Sequence, residues 1–164
     1  MPLRQFPFAR KNKLVKEILF VCTLNISRSA MAEIIVNELY HNDYHASSAG
    51  LYTSEPKPMC YDARAALIRA GYDAALTEGK ASSRLTEQQL IKSDIVVGVT
   101  AEHAEAARDR FPKYRDKIIT FPISIHAPSA GDEAGYDRCF ENLCEGIERL
   151  LYPEGLKWTL RSEK

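Results

Sequence analysis

The run Glu17-Ile-Leu-Phe-Val-Cys22 is short, continuously apolar and rich in strand formers, and it breaks into a polar turn before a helical pattern begins at Ser29. A run without polar alternation suits a strand buried on both faces, which is the environment of a parallel sheet covered by helices. Behind the turn, Met31, Ile34, Ile35 and Leu39 recur at three- and four-residue spacing until His41-Asn42-Asp43 ends the pattern. Strand, loop and helix thus follow one another within about 25 residues, the opening unit of a βα crossover fold.

The alternation continues along the chain. Tyr44 to Ala49 reads as a strand closed by Gly50, and a loop with Pro56 and Pro58 leads to a helix from about Asp62 to Ala70, stopped by Gly71. Thr86 is placed to cap a short helix through Ile91, Asp94 to Val99 is a buried strand, and Thr100 is placed to cap a helix over 101–110. Lys117 to Phe121 reads as the last strand, Pro122 to Gly135 as a long loop, and a final helix carries Tyr136, Phe140, Leu143, Ile147, Leu150 and Leu151 on one face. Buried strands alternating with helices require parallel pairing and right-handed crossovers, so the expected fold is a three-layer α/β domain with four parallel strands and helices on both faces. Ligands in such sheets bind beyond the carboxyl ends of the strands, which directs attention to the loop after Cys22.

The 164 residues suffice for one domain, expected over 17–152, with a basic N-terminal extension over 1–16 and a tail over 153–164. Lys+Arg and Asp+Glu are both 22, so no global charge recruits nucleic acid, and apolar runs of about five residues exclude a membrane span. The first 16 residues hold Arg4, Arg10, Lys11, Lys13 and Lys16 and no acid, without the apolar stretch of a signal peptide. Cys22, Cys60, Cys139 and Cys144 are spaced 38, 79 and 5 apart, which fits neither a metal or redox C-x-x-C nor a secreted disulfide scaffold. They read as thiols of a reducing compartment, and the expected location is cytoplasmic.

The loop itself runs Cys22-Thr23-Leu24-Asn25-Ile26-Ser27-Arg28-Ser29, a cysteine ending a strand and an Arg-Ser pair opening a helix five residues later. Each residue type has a task if the ligand is a tetrahedral oxyanion. Backbone N–H groups of Thr23 to Ser29 converge with the positive end of the helix dipole, Arg28 holds two phosphoryl oxygens through its planar fork, and the same field favours the thiolate of Cys22 as nucleophile. Asn25 tolerates a left-handed backbone at the sharp turn, and Ser29 has a hydroxyl to give the thiolate. The competing reading is a small buried cysteine and a solvated helix cap, which the position after a buried strand disfavours.

With those residues in view, Ile18-Leu-Phe-Val-Cys-Thr-Leu-Asn-Ile-Ser-Arg-Ser-Ala-Met-Ala-Glu33 resembles the signature of the low-molecular-weight protein tyrosine phosphatases, relatives of the thioredoxin-coupled arsenate reductases. Ser47-Ser-Ala-Gly50, Arg84-Leu-Thr86, Ser93-Asp-Ile-Val-Val97 and Tyr136-Asp-Arg-Cys-Phe140 extend the resemblance in order over about residues 17–152. It implies a metal- and cofactor-free hydrolase acting on phosphotyrosine in a phosphorylated protein, or on a small aryl phosphate, with inorganic phosphate as product. Cys22 would form a phosphocysteine, Arg28 would clamp the phosphoryl group, and Thr23, Leu24, Asn25, Ile26, Ser27 and Ser29 would complete the phosphate loop. It also implies an acid in an Asp-Pro pair that protonates the leaving phenolate and later activates water.

Here the chain departs from the pattern, because that pair falls on Ala127-Pro128 and the aromatic that follows falls on Ser129. Three substitutes are open: His126 beside the position, Asp132 or Glu133 from the same loop, or a substrate whose leaving group needs no proton. Asp132 is the candidate acid, since a carboxylate suits the task, with a cap of the last helix as its other reading. Leu24 stands for a common glycine, Ser27 for a second cysteine, and Lys80 for a frequent histidine unless it is simply an exposed loop lysine. Ile26 is apolar and fits a slot for a flat ring, where relatives resembling arginine phosphatases tend to carry threonine. The alternative to an enzyme is a phosphate- or phosphoprotein-binding pseudophosphatase. Arsenate reduction is disfavoured because Gly98-Val-Thr100 offers no resolving cysteine, and Cys60, Cys139 and Cys144 are expected to be core or half-buried thiols.

Overall fold

The computed structural model describes residues 15–153; the extension and tail expected from the sequence lie outside them, apart from residues 15, 16 and 153. Four strands, β1 (Lys16–Cys22), β2 (Tyr44–Gly50), β3 (Ile95–Gly98) and β4 (Ile118–Thr120), form one parallel sheet in the order β2-β1-β3-β4. Five α-helices alternate with them: α1 (Arg28–Leu39), α2 (Tyr61–Arg69), α3 (Glu87–Lys92), α4 (Ala101–Arg110) and α5 (Glu133–Leu151). Short 3-10 turns lie at Ala74–Leu76 and Pro112–Lys117.

The strand period of two sorts β1 between two cores. Ile18, Phe20 and Cys22 face α1, α2 and α5 with Met31, Ile35, Leu67, Leu143 and Ile147, whereas Leu19 and Val21 face α3 and α4 with Leu90, Ala104 and Ala107. Every residue from Ile18 to Cys22 is buried, which is why the run carries no polar alternation. Gly98 ends β3 beneath α4; a Cβ there would collide with the backbone of Ala104, so glycine permits the close helix-on-strand approach.

The expected caps hold. Thr86 makes a capping box with Gln89, and the Thr100 hydroxyl accepts from the His103 backbone N–H. Several boundaries move by one residue, and the largest shift is in the last helix, which starts at Glu133 instead of after Gly135, because the Asp132 carboxylate caps it by accepting from Gly135 N–H at 2.9 Å. The chain leaves β1 toward β2 on one side and proceeds from β3 to β4 on the other. The carboxyl end of β1 therefore lies at the topological switch point.

Candidate active site

Cys22 is the last residue of β1, and the loop 23–27 returns the chain into α1, whose first turn holds no acidic residue and whose N-cap Ser27 makes no side-chain capping bond. The helix's leading N–H groups and the dipole's positive end thus face the loop uncompensated by the chain's own side chains. Asn25 has φ +62°, a left-handed conformation that its short amide side chain tolerates, as its place in the turn suggests. Gly50, paired with Cys22 across β1 and β2, lies under the loop; a Cβ there would collide with Thr53 and come within 3.0 Å of the Leu24 and Thr23 backbone. Thr53 in turn donates its hydroxyl to Leu24 O at 2.8 Å, and Leu51 and Tyr52 N–H groups reach Cys22 O and Thr23 O at 2.9 Å.

A chain of hydrogen bonds across the loop ends on Cys22. Ser83 N–H donates to Asn25 Oδ1 (2.9 Å), so the Asn25 amide nitrogen faces the other way and donates to Ser29 Oγ (2.8 Å) and Ser48 Oγ (2.9 Å). Ser29 Oγ lies 2.9 Å from Cys22 Sγ, so its O–H is within reach of a thiolate there, and either group can donate while Cys22 is a thiol. Ser48 passes its own hydroxyl hydrogen to Glu33 Oε1 (2.5 Å), which also pairs with Lys80 Nζ (2.8 Å). Cys22, Asn25, Ser29 and Ser48 are all buried, so this network works at low local dielectric. The sequence alone leaves Lys80 between a site position and an exposed loop; its side chain is 16% exposed and the ion pair closes the network.

Removing one end of a half-buried pair strands the other. Lys80→Met is expected to lower unfolding stability by about 1–3 kcal/mol, read by urea titration, with Lys80→Arg retaining most of it. An unchanged midpoint in Lys80→Met would mean that solvent screens the pair.

Arg28 is held edge-on to the loop. Its Nη1 donates to Ile125 O (2.9 Å) and its Nη2 approaches Thr23 Oγ1 (3.4 Å), while Nε is buried without a protein partner. A guanidinium anchored at its two terminal nitrogens with a buried N–H to spare is built to take an anion's oxygens. Thr23 Oγ1 also lies 2.8 Å from His103 Nε2, whose other ring nitrogen lies 2.8 Å from Thr100 Oγ1. At the rim, Leu24 and Tyr52 are exposed, and Arg110 stacks over the Tyr52 ring at 5.4 Å. Ile26 is half-buried and its carbonyl accepts from Cys60 N–H at 2.9 Å.

The 122–132 segment closes the far side. Ile125, His126, Ala127, Pro128 and Asp132 line a cavity of about 210 Å³ against α5. Asp132, the acid candidate, spends one carboxylate oxygen on the helix cap; Glu133 pairs with Arg69 of α2 at 3.1 Å; and Gly131 N–H is held by Asp62 at 2.9 Å. Cys139 is buried and Cys60 and Cys144 are half-buried, matching the expectation for them; burial pushes the Cys139 and Cys144 thiols up to about 11. The sequence reading missed Glu33, Ser48, Ser83 and His103 as site residues. The signal for His103 was available in the spacing Thr100-x-x-His103, which puts the ring above the cap.

A thiol at a strand's carboxyl end, a helix N-terminus and a half-buried arginine around one loop define a cysteine-dependent phosphoryl-transfer site on an α/β scaffold. The chain matches the family model of low molecular weight phosphotyrosine protein phosphatase over residues 17–162, and it belongs to that family of hydrolases. It is 31% identical over 141 residues to a protein-arginine-phosphatase of Bacillus subtilis (strain 168), covering 82% of this chain and 91% of the relative. It is also 31% identical over 104 residues to the low molecular weight protein-tyrosine-phosphatase Etp of Escherichia coli (strain K12), covering 63% and 68%. Among solved structures it resembles the arginine phosphatase YwlE, in a mutant form with a phosphorylated active-site serine, with TM-score 0.74 and 28% identity over 82% of this chain and 92% of that one. No helix among the described residues is long and apolar enough to cross a membrane.

Proposed function

We propose that the chain is a phosphomonoesterase for aryl phosphates, phosphotyrosine in proteins above all, working through a phosphocysteine at Cys22. The observation that carries this reading is Ser29 Oγ 2.9 Å from Cys22 Sγ, within reach to give its hydroxyl hydrogen to a thiolate, together with the buried, unpartnered Nε of Arg28. The thiolate attacks phosphorus, the bond to the leaving oxygen breaks, and the phosphoryl group sits on Sγ. Arg28 and the loop N–H groups of residues 23–29 take the equatorial oxygens, whose charge they stabilise in the transition state. Water then attacks phosphorus, the S–P bond breaks, and inorganic phosphate leaves with the thiolate restored and returned to the Ser29 hydroxyl.

The leaving group decides the substrate class. Ala127 offers no proton and Asp132 is engaged in capping α5, so the reading gives the departing group no carboxylic acid. A phenol, at a pKa of about 10, departs unassisted more readily than the more basic guanidine. The same logic sets phosphoarginine below phosphotyrosine, although a protein-arginine-phosphatase is among the relatives. The absent acid also favours a second reading, a phosphoprotein-binding module that retains the cradle and turns over negligibly.

A series of aryl phosphates with graded leaving-group pKa tests this. Hydrolysis is expected to fall steeply as leaving-group pKa rises, and phosphoarginine to be the poorest substrate. Asp132→Asn is expected to leave the slope unchanged; a slope that is shallow in the wild type and steepens in that variant would make Asp132 the acid. Phosphate that raises the melting temperature without any turnover would favour the binding module.

A further inference from the structure

We propose that His103 is a positioning residue for the phosphoryl clamp, the middle of a directed hydrogen-bond chain that runs from Arg28 to Glu102. The direction follows from the fixed donors at one end and the fixed acceptor at the other. Arg28 Nη2 can only donate, so Thr23 Oγ1 presents a lone pair to it; in the proposed chain its O–H turns to His103 Nε2, 2.8 Å away. Nε2 is therefore an acceptor, and in a neutral ring Nδ1 then carries the hydrogen. Nδ1 donates to Thr100 Oγ1 at 2.8 Å, and the same oxygen accepts from His103 backbone N–H at 3.2 Å. Thr100 is left with its own hydroxyl hydrogen, for which the carboxylate of Glu102, two residues on, is the nearby acceptor in the proposed chain. The chain thus starts on a cation and ends on an anion, with every hydrogen pointing the same way.

Thr100 and His103 are buried, 6% and 8% exposed, and sit on the first turn of α4, above the carboxyl end of β3. The charges acting on the imidazole are Arg28 from α1 and Glu102 from its own helix; beyond Glu102 stands His126 of the 122–132 segment. Burial, then the Arg28 charge, push the imidazole down to about 4 against the pull of Glu102, so the ring is neutral in the range where the enzyme would work. A second ring proton would force the Thr23 hydroxyl around and aim its hydrogen at the guanidinium. The neutral ring keeps Thr23 as an acceptor, and with Ile125 O it fixes the two terminal nitrogens of Arg28, leaving the buried Nε without a protein partner.

The inference rests on Arg28 being the clamp, and two measurements separate the claims. Nitrogen-15 NMR of the histidine-labelled full chain, with His103 assigned by its loss in His103→Gln, is expected to show a neutral ring protonated at Nδ1 at pH 7. A ring protonated at Nε2, or at both nitrogens, would overturn the directed chain, and this reading needs only the folded wild type. In the second, calorimetry measures the affinity of inorganic phosphate. His103→Leu and Thr23→Val are each expected to weaken it about tenfold, and the double variant about tenfold as well, since both cut one chain. A roughly hundredfold loss in the double variant, or none in either single one with melting lowered, would reduce His103 to packing. Failure of the wild type to bind phosphate would overturn the clamp itself and this inference with it.

Discussion

Ala127→Asp is expected to raise turnover of phenyl phosphate and of phosphotyrosine peptides by about 10²- to 10⁴-fold, the range that a positioned general acid supplies. The position lies on the 122–132 segment, two residues beyond Ile125, whose carbonyl holds Arg28 at 2.9 Å. The side chain is exposed and lines the cavity against α5, so a carboxyl fits without displacing core atoms. The gain is expected to shrink for p-nitrophenyl phosphate, whose leaving group needs little help, and the leaving-group slope of the variant is expected to flatten. An equal gain on all leaving groups would mean that the carboxylate acts on the second step, water attack, instead. No gain on any would mean that the segment holds residue 127 away from the leaving oxygen.

Arg28→Lys is expected to lower kcat by about 10³-fold or more, although the charge is kept. The reason is geometric. Lysine gathers its three N–H donors on one nitrogen, so it cannot reproduce the separate positions from which Nη1 and Nη2 reach Ile125 O and Thr23 Oγ1 and Nε stays free for phosphate. The loss is expected in kcat and in kcat/KM together, with thermal protection by phosphate largely gone. A variant that keeps kcat and merely raises KM would reassign Arg28 to ground-state binding.

The strand, loop and first helix were legible because their determinants are local. Ile18 to Cys22 announces double-sided burial, Asn25 announces a turn with positive φ, and Thr86 and Thr100 announce caps within four residues of the N–H groups that donate to them. What escaped the sequence is what folding brings together from a distance. Ser48 meets Asn25 across 23 positions, Ser83 across 58, His103 meets Thr23 across 80, and Ile125 meets Arg28 across 97. No periodicity encodes those encounters; the parallel crossovers do, by delivering the carboxyl ends of β2, β3 and β4 to the same edge. Asp132 shows the converse, since a carboxylate just before a helix reads equally as cap or acid until Gly135 N–H is seen to occupy it.

The central claim is that Cys22 carries the phosphoryl group, and acid quench during turnover of p-nitrophenyl phosphate, followed by mass spectrometry of the peptides, tests it most directly. One phosphate is expected on the peptide containing Cys22, lost at neutral pH with release of inorganic phosphate, and absent from Cys22→Ala, which retains the fold and has no turnover. Turnover that persists in Cys22→Ala, or a wild-type enzyme that hydrolyses the substrate with no phosphate ever found on Cys22, would contradict it.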